Sequence, residues 1–133
     1  MKKIAVLIIL ALGLVMASFT LTSNVVSEEK GLTMEQYNQK IANKEKIVLV
    51  YFNADWCVPC IKLKPIIEQL ETEEKDKVVI LKLNVDDNPE IATHFEINTL
   101  PLFYLYRNGK ISWQFTGIQT KKELSDKINL YKY

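Results

Sequence analysis

Ile47-Val48-Leu49-Val50-Tyr51-Phe52-Asn53-Ala54-Asp55-Trp56-Cys57-Val58-Pro59-Cys60 is the stretch that decides how this chain is read. Its first six residues form an unbroken apolar, β-branched run, which suits a strand buried on both faces of a sheet. After Cys60, Ile61, Ile66, Ile67 and Leu70 recur at helical spacing, while Glu68, Glu71, Glu73 and Glu74 take the outer, solvated positions. This predicts a helix from about Cys57 to Lys75, with Pro65 inside it as a source of a kink. The two cysteines therefore stand where a buried strand hands over to a helix, at the carboxyl end of the strand, and open α/β sheets place their chemistry there.

Outward from this segment the pattern alternates. Thr33-Met34-Glu35-Gln36 has the form of a capping box and predicts a helix from about Met34 to Asn43. Val78–Val85 reads as a second buried strand, and Asn88-Pro89 opens a short helix carrying Ile91 and Phe95. Leu102–Tyr106 and Ile111–Thr116 flank Asn108-Gly109, a strong hairpin signal because both central residues of such a turn take positive φ. Tyr104, Tyr106, Trp113 and Phe115 fall in these strands as core residues and cross-strand pairs. Thr120-Lys121-Lys122-Glu123 is a second capping box, and the helix it opens places Leu124, Ile128 and Tyr131 on one face. The order α-β-α-β-α-β-β-α predicts a mixed β-sheet with helices on both faces, an α/β fold whose first two strands are parallel and joined by a right-handed crossover.

The chemistry of the cysteine pair follows from its place. At a helix N-terminus the free backbone N–H groups and the macrodipole stabilise a Cys57 thiolate, and the thiolate is the nucleophile. Cys60, almost one turn on, is expected to be the less exposed partner and to lie within reach of Cys57. Attack by Cys57 on a disulfide gives a mixed disulfide, which Cys60 then resolves. Val58 and Pro59 stiffen the intervening turn. Other uses of two thiols fit less well: the second half of a zinc site is missing, a loop so small gains little from a structural disulfide, and copper handling stays open as a thiol carrier reading.

Taken in order, these motifs resemble the thioredoxin family over about Leu32 to Tyr131. Trp56-Cys57-Val58-Pro59-Cys60 is similar to that family's W-C-x-P-C site. Pro65 matches its helix proline, Leu83-Asn84-Val85-Asp86 with Asn88-Pro89 its segment after the following strand, and Thr99-Leu100-Pro101 the segment bearing its cis-proline. Asn108-Gly109 and Gly117 match its last hairpin and the turn that follows. The resemblance implies a thioredoxin fold, Cys57 as attacking and Cys60 as resolving cysteine, a cis Pro101 facing the pair, a Leu100 backbone free to pair with an extended substrate, and Trp56 on the substrate-facing surface. Read without it, Pro101 is simply the first residue of a strand, where a missing N–H does no harm, and Trp56 a packing residue. The chain departs from the family at three places. Tyr51 stands where cytoplasmic members carry a buried Asp that relays a proton, and a phenol is a poor substitute at neutral pH. Asn53 stands where many carry Trp, and Val58 where many carry Gly. Lys82 matches a lysine near that acid and is a candidate electrostatic or proton-transfer residue alongside Tyr51, or else an ordinary strand lysine.

The 133 residues carry a formal net charge of +1, with 48% hydrophobic and 25% charged residues. A near-neutral chain whose one arginine is Arg107 argues against nucleic-acid binding. Met1-Lys2-Lys3 followed by the uncharged Ile4–Leu21 reads as a signal peptide or N-terminal membrane anchor within residues 1–24, then a linker over 25–31 and a thioredoxin-like domain over 32–133. Either version places the domain outside the cytoplasm, with a bacterial periplasm as the fitting compartment, and the membrane enters only through that segment. His94 reads as a surface or structural histidine. Asp86, Asp87 and Glu90 read as caps of the short helix, since they lack the alternation and glycine of a calcium loop. No metal site and no cofactor are expected. The expected function is thiol–disulfide exchange with protein thiols and disulfides, as a reductant fed by a membrane or periplasmic electron donor. An oxidant, an isomerase, a redox-inactive adaptor or a thiol metal carrier are the alternatives. No exposed strand edge is evident in the pattern, which points to a monomer.

Overall fold

The structure is a computed structural model that describes residues 31–132; the apolar leader and most of the linker lie outside the described residues. The element order is α1 (Met34–Ile41), β1 (Ile47–Asn53), α2 (Val58–Glu73), β2 (Val78–Asn84), α3 (Pro89–His94), β3 (Leu102–Arg107), β4 (Lys110–Thr116) and α4 (Lys121–Tyr131). This is the expected order, with helix ends shifted by one or two residues.

Local signals act as expected. Thr33 and Thr120 each accept from the third residue of the helix they open, and Gln36 and Glu123 accept from the cap backbone in return. Asn108 and Gly109 have φ of 52° and 75°, the left-handed pair that a two-residue hairpin turn requires. Helix α2 continues across Pro65, although a proline there denies the Ile61 carbonyl its usual donor.

The strands form one four-stranded sheet in the order β2-β1-β3-β4. β1 runs parallel to β2, with Tyr51 opposite Lys82 and Asn53 opposite Asn84, and antiparallel to β3. β1 is buried throughout Ile47–Phe52. Its alternate residues divide between two apolar clusters. Ile47, Leu49 and Tyr51 join Leu63, Ile67 and Leu70 of α2, Phe103 and Leu105 of β3, and Leu124 and Ile128 of α4. Val48, Val50 and Phe52 join Tyr37 and Ile41 of α1, Ile91 of α3, and Tyr106. On the second face the Tyr37 and Tyr106 hydroxyls are 2.8 Å apart, which satisfies both in the core.

Two expectations are corrected. β2 is not buried on both faces: Val79 and Lys82 are exposed, because β2 is an edge strand with β1 on one side only. Among the described residues β4 forms the other edge, so the sheet has two edges where none was expected. The alternating aromatics divide accordingly. Tyr106 is buried, while Trp113 and Phe115 on the edge strand stack on each other with centroids 6.0 Å apart and remain partly exposed.

Buried Glu74 caps the end of α2 and ties it to α4. It accepts from Lys77 and from Ser125, each at 2.6 Å. These two hydrogen bonds, chiefly the one from Lys77, hold its carboxyl below the usual carboxylate range against the opposing effect of burial. A depressed carboxylate stabilises the fold above its unfolded pKa, and that contribution disappears as pH falls through the folded value. Glu74→Gln is therefore expected to cost about 1 kcal/mol near neutrality, where charge-assisted bonds to a partly exposed lysine are worth about that much. In urea unfolding at a series of pH values, the gap between wild type and variant should close below about pH 4.

Candidate active site

The handover from β1 to α2 takes four residues, Ala54–Cys57. Cys57 is the N-cap of α2, with an extended φ of −82° and ψ of 99°, and its sulfur accepts from the Cys60 backbone N–H at 3.3 Å. Val58 and Pro59 occupy the first two helical positions, and the proline loses nothing there because those N–H groups have no partner inside the helix. The fold thus puts one sulfur on the orphan donors of a helix N-terminus, where a thiolate is favoured. Cys57 and Cys60 are joined in a disulfide, with Cα atoms 5.2 Å apart. The expected difference in exposure is not found: both cysteines are 4% exposed. The flanking Trp56 and Val58 protrude at 67% and 62%.

The Leu100–Pro101 bond is cis, as the resemblance implied. Leu100 packs against the cluster that contains Cys57, Cys60 and Ala54. The Pro101 carbonyl accepts from Gly117 N–H at 2.8 Å, which brings the end of β4 to this loop. Ile118, next in the chain, is 58% exposed. It adds an apolar side chain that the sequence reading did not single out, although its place just after Gly117 was a usable sign.

Trp56 neither packs in the core nor stands free. Its indole N–H donates to Asp86 Oδ2 at 2.9 Å, across from the end of β2. Asp86 was expected as a helix cap, and this expectation is corrected. The N-cap of α3 is Asn88, whose side chain instead accepts from Leu32 N–H and donates to the Asn84 carbonyl, leaving Asp86 to orient the tryptophan. Glu90 falls in the first turn of α3, and His94 is an exposed residue lying edge-on to Phe95.

Tyr51 and Lys82 do lie on the same side of the cysteine pair. The Tyr51 hydroxyl donates to the Cys60 backbone carbonyl at 3.2 Å, and its ring stacks on Phe103 with centroids 5.1 Å apart. Burial pushes its pKa up to about 12, so it stays a neutral donor through the physiological range. Lys82 is partly exposed and pairs with Glu71 at 2.6 Å. Both residues line a cavity of about 390 Å³ behind Cys60, together with Asn53, Asp55, Lys64 and Glu68. A groove of similar size, about 410 Å³, lies between the Phe95–Thr99 segment and β3–β4, and no cysteine lines it. Among the described residues no cluster of side chains has the makings of a metal site.

Similarity to known proteins agrees with this geometry. The Thioredoxin family model matches residues 28–130. The thioredoxin of Chlorobaculum thiosulfatiphilum is 39% identical over 97 residues, which cover 73% of this chain and 90% of that protein. This chain belongs to the thioredoxin family. The thioredoxin of Rickettsia felis is 38% identical over 98 residues, 74% of this chain and 93% of that protein. Among solved structures, a mutant thioredoxin from Halobacterium salinarum superposes with a TM-score of 0.68 at 28% identity, covering 77% of this chain and 88% of that one. The fold, the family and the Cys57–Cys60 pair make the chain a thiol–disulfide oxidoreductase.

Tyr51→Phe removes only the hydroxyl that serves the Cys60 carbonyl. It is expected to cost about 1 kcal/mol in urea unfolding, the usual net value of one such bond. The pH profile of disulfide reduction between pH 6 and 9 should stay where it is, since the phenol does not titrate in that window. A displaced profile would mean that the hydroxyl takes part in proton transfer.

Proposed function

We propose that this thioredoxin-family protein reduces disulfides in extracytoplasmic proteins, with Cys57 as nucleophile and Cys60 as resolving thiol. The observation that carries the reading is the position of Cys57 as N-cap of α2, with its sulfur on the Cys60 N–H. The same donor and the helix dipole favour a thiolate on Cys57, the form that attacks the substrate disulfide in the first step.

Trp56, Val58 and Ile118 present exposed apolar surface around the pair. The Leu100 backbone, held by the cis bond ahead of β3, is the element an extended substrate segment would pair with. An unfolded or extended protein segment carrying a disulfide fits these features. Each turnover forms a Cys57–substrate mixed disulfide, and attack by Cys60 then leaves Cys57–Cys60 oxidised and the substrate as two thiols. Electrons to restore the dithiol come from a donor dithiol at or in the membrane. Support for the compartment is the basic Met1-Lys2-Lys3 start and the uncharged Ile4–Leu21 run. The domain acts as a monomer in this reading, needing no second chain to complete the pair.

Two measurements test the reading. Insulin reduction by dithiothreitol should accelerate with the wild type and fall to the uncatalysed rate in Cys57→Ser, whereas stoichiometric copper(I) binding without turnover would mark a carrier instead. Equilibration of the pair with glutathione should give a potential near about −270 mV, and a value near about −120 mV would make the protein an oxidant.

A further inference from the structure

Cys60 must lose a proton before it can resolve the mixed disulfide, and the groups around it constrain where that proton goes. The apolar cluster on its inner side, which includes Leu63, Ile67, Phe103, Leu124 and Ile128, contains no acid or base other than Tyr51. The hydroxyl of Tyr51 is committed as a donor to the Cys60 carbonyl and does not ionise near neutrality. Nothing in that cluster is therefore fit to receive the proton.

Behind Cys60, however, the fold leaves the 390 Å³ cavity. Position 53, on the same side of β1 as Leu49 and Tyr51, contributes a half-buried asparagine to its wall. Cys60, Ile61, Lys64, Ile67 and Glu68 form one helical stripe along its wall. The charged groups that face it are Asp55 from the loop, Lys64 and Glu68 from α2, and Lys82 from β2 with its partner Glu71. A space of this size with several polar partners has room for water.

We propose that Cys60 gives up its proton through this cavity, to water held between Asn53, Lys64, Glu68 and Lys82, and that Asn53 is the positioning residue that keeps the route open. The inference rests on the thiol–disulfide exchange described under Proposed function. With Cys57 bound to the substrate sulfur, the Cys60 proton passes to water in the cavity. The Cys60 thiolate attacks Cys57 Sγ, a Cys57–Cys60 bond forms, and the Cys57–substrate bond breaks. The electron pair leaves with the substrate sulfur, which takes a proton from solvent. The substrate gains two electrons and the cysteine pair loses two. Lys64 and Lys82 favour the thiolate electrostatically, while Asp55, Glu68 and Glu71 oppose it.

The test fills the cavity and reads Cys60 alone. In a Cys57→Ser background, Asn53→Trp should slow iodoacetamide alkylation of Cys60 at pH 7 by about tenfold and displace its pH profile upward by about one unit, the two being equivalent for a thiol below its pKa. Resolution of a preformed mixed disulfide, followed in a single turnover with Cys57 present, should slow by a similar factor. The rate of mixed-disulfide formation by Cys57 in a Cys60→Ser background should not follow it. Asn53→Leu, which keeps the branched shape and removes the polar group, covers the case in which tryptophan disrupts the fold. It should displace the profile in the same direction. A Cys60 that in folded Cys57→Ser fails to react with iodoacetamide, or Asn53 variants whose Cys60 profile and resolution rate match their parents, would overturn the proposal. If insulin reduction by the wild type proceeds while those rates are unchanged, only the cavity route fails. A wild type inert toward insulin removes the reductase reading itself.

Discussion

Strand β1 has to satisfy two demands at once. It lies between β2 and β3, and its side chains feed the apolar clusters on both faces, so six consecutive residues from Ile47 to Phe52 are all out of water. Burial of side chains of this kind is worth about 1.5–3 kcal/mol each, upper estimates that conformational entropy largely offsets. The strand cannot slip by one residue without moving each apolar side chain to the wrong cluster. Its carboxyl end is therefore fixed in space, and four residues later so is the N-terminus of α2. The Cys57 sulfur inherits its position from a buried inner strand of the sheet and its electrostatics from the first turn of a helix.

Around that fixed point the two sides of the disulfide differ in chemistry. The outer side is apolar and exposed: Trp56, Val58 and Ile118, with the tryptophan held by Asp86. Behind Cys60 lies a recess of mixed lining, where Asn53, Lys64, Glu68 and Lys82 stand among apolar side chains such as Ile61 and Ile67. One suits contact with another polypeptide and the other suits solvent and protons. Tyr51 borders the recess. It fills the position of an acid with a ring that packs on Phe103 and a hydroxyl that serves a helix carbonyl.

Most of the architecture was legible from local patterns because those patterns have short-range causes. The two capping boxes, the Asn108-Gly109 turn, the run of β1 and the C-x-x-C at a helix start each depend on neighbours within about four residues. What was misread depends on residues far apart in the chain. That Val78–Asn84 is an edge strand follows from strand order, and a run such as Val78-Val79-Ile80-Leu81 reads the same whether one neighbour or two flank it. Asp86 looks like a helix cap until Trp56, thirty residues earlier, is placed beside it. The cavity at Asn53 is visible only once α2 and β2 are both in position. The equal burial of the two cysteines depends on how their loop folds in against the core, which spacing alone does not give.

The edge position of β2 gives Lys82 a second duty. Unpaired strand edges invite pairing with other chains, and an exposed lysine in the middle of such an edge discourages it, since a partner strand would have to bury the charge. Lys82 stands there, opposite Tyr51 in register and anchored to Glu71, while the same ammonium borders the recess behind Cys60. One side chain thus belongs both to the strand edge and to the recess. An apolar replacement would remove at once the charge that guards the strand edge and one of the charges bordering the recess behind Cys60.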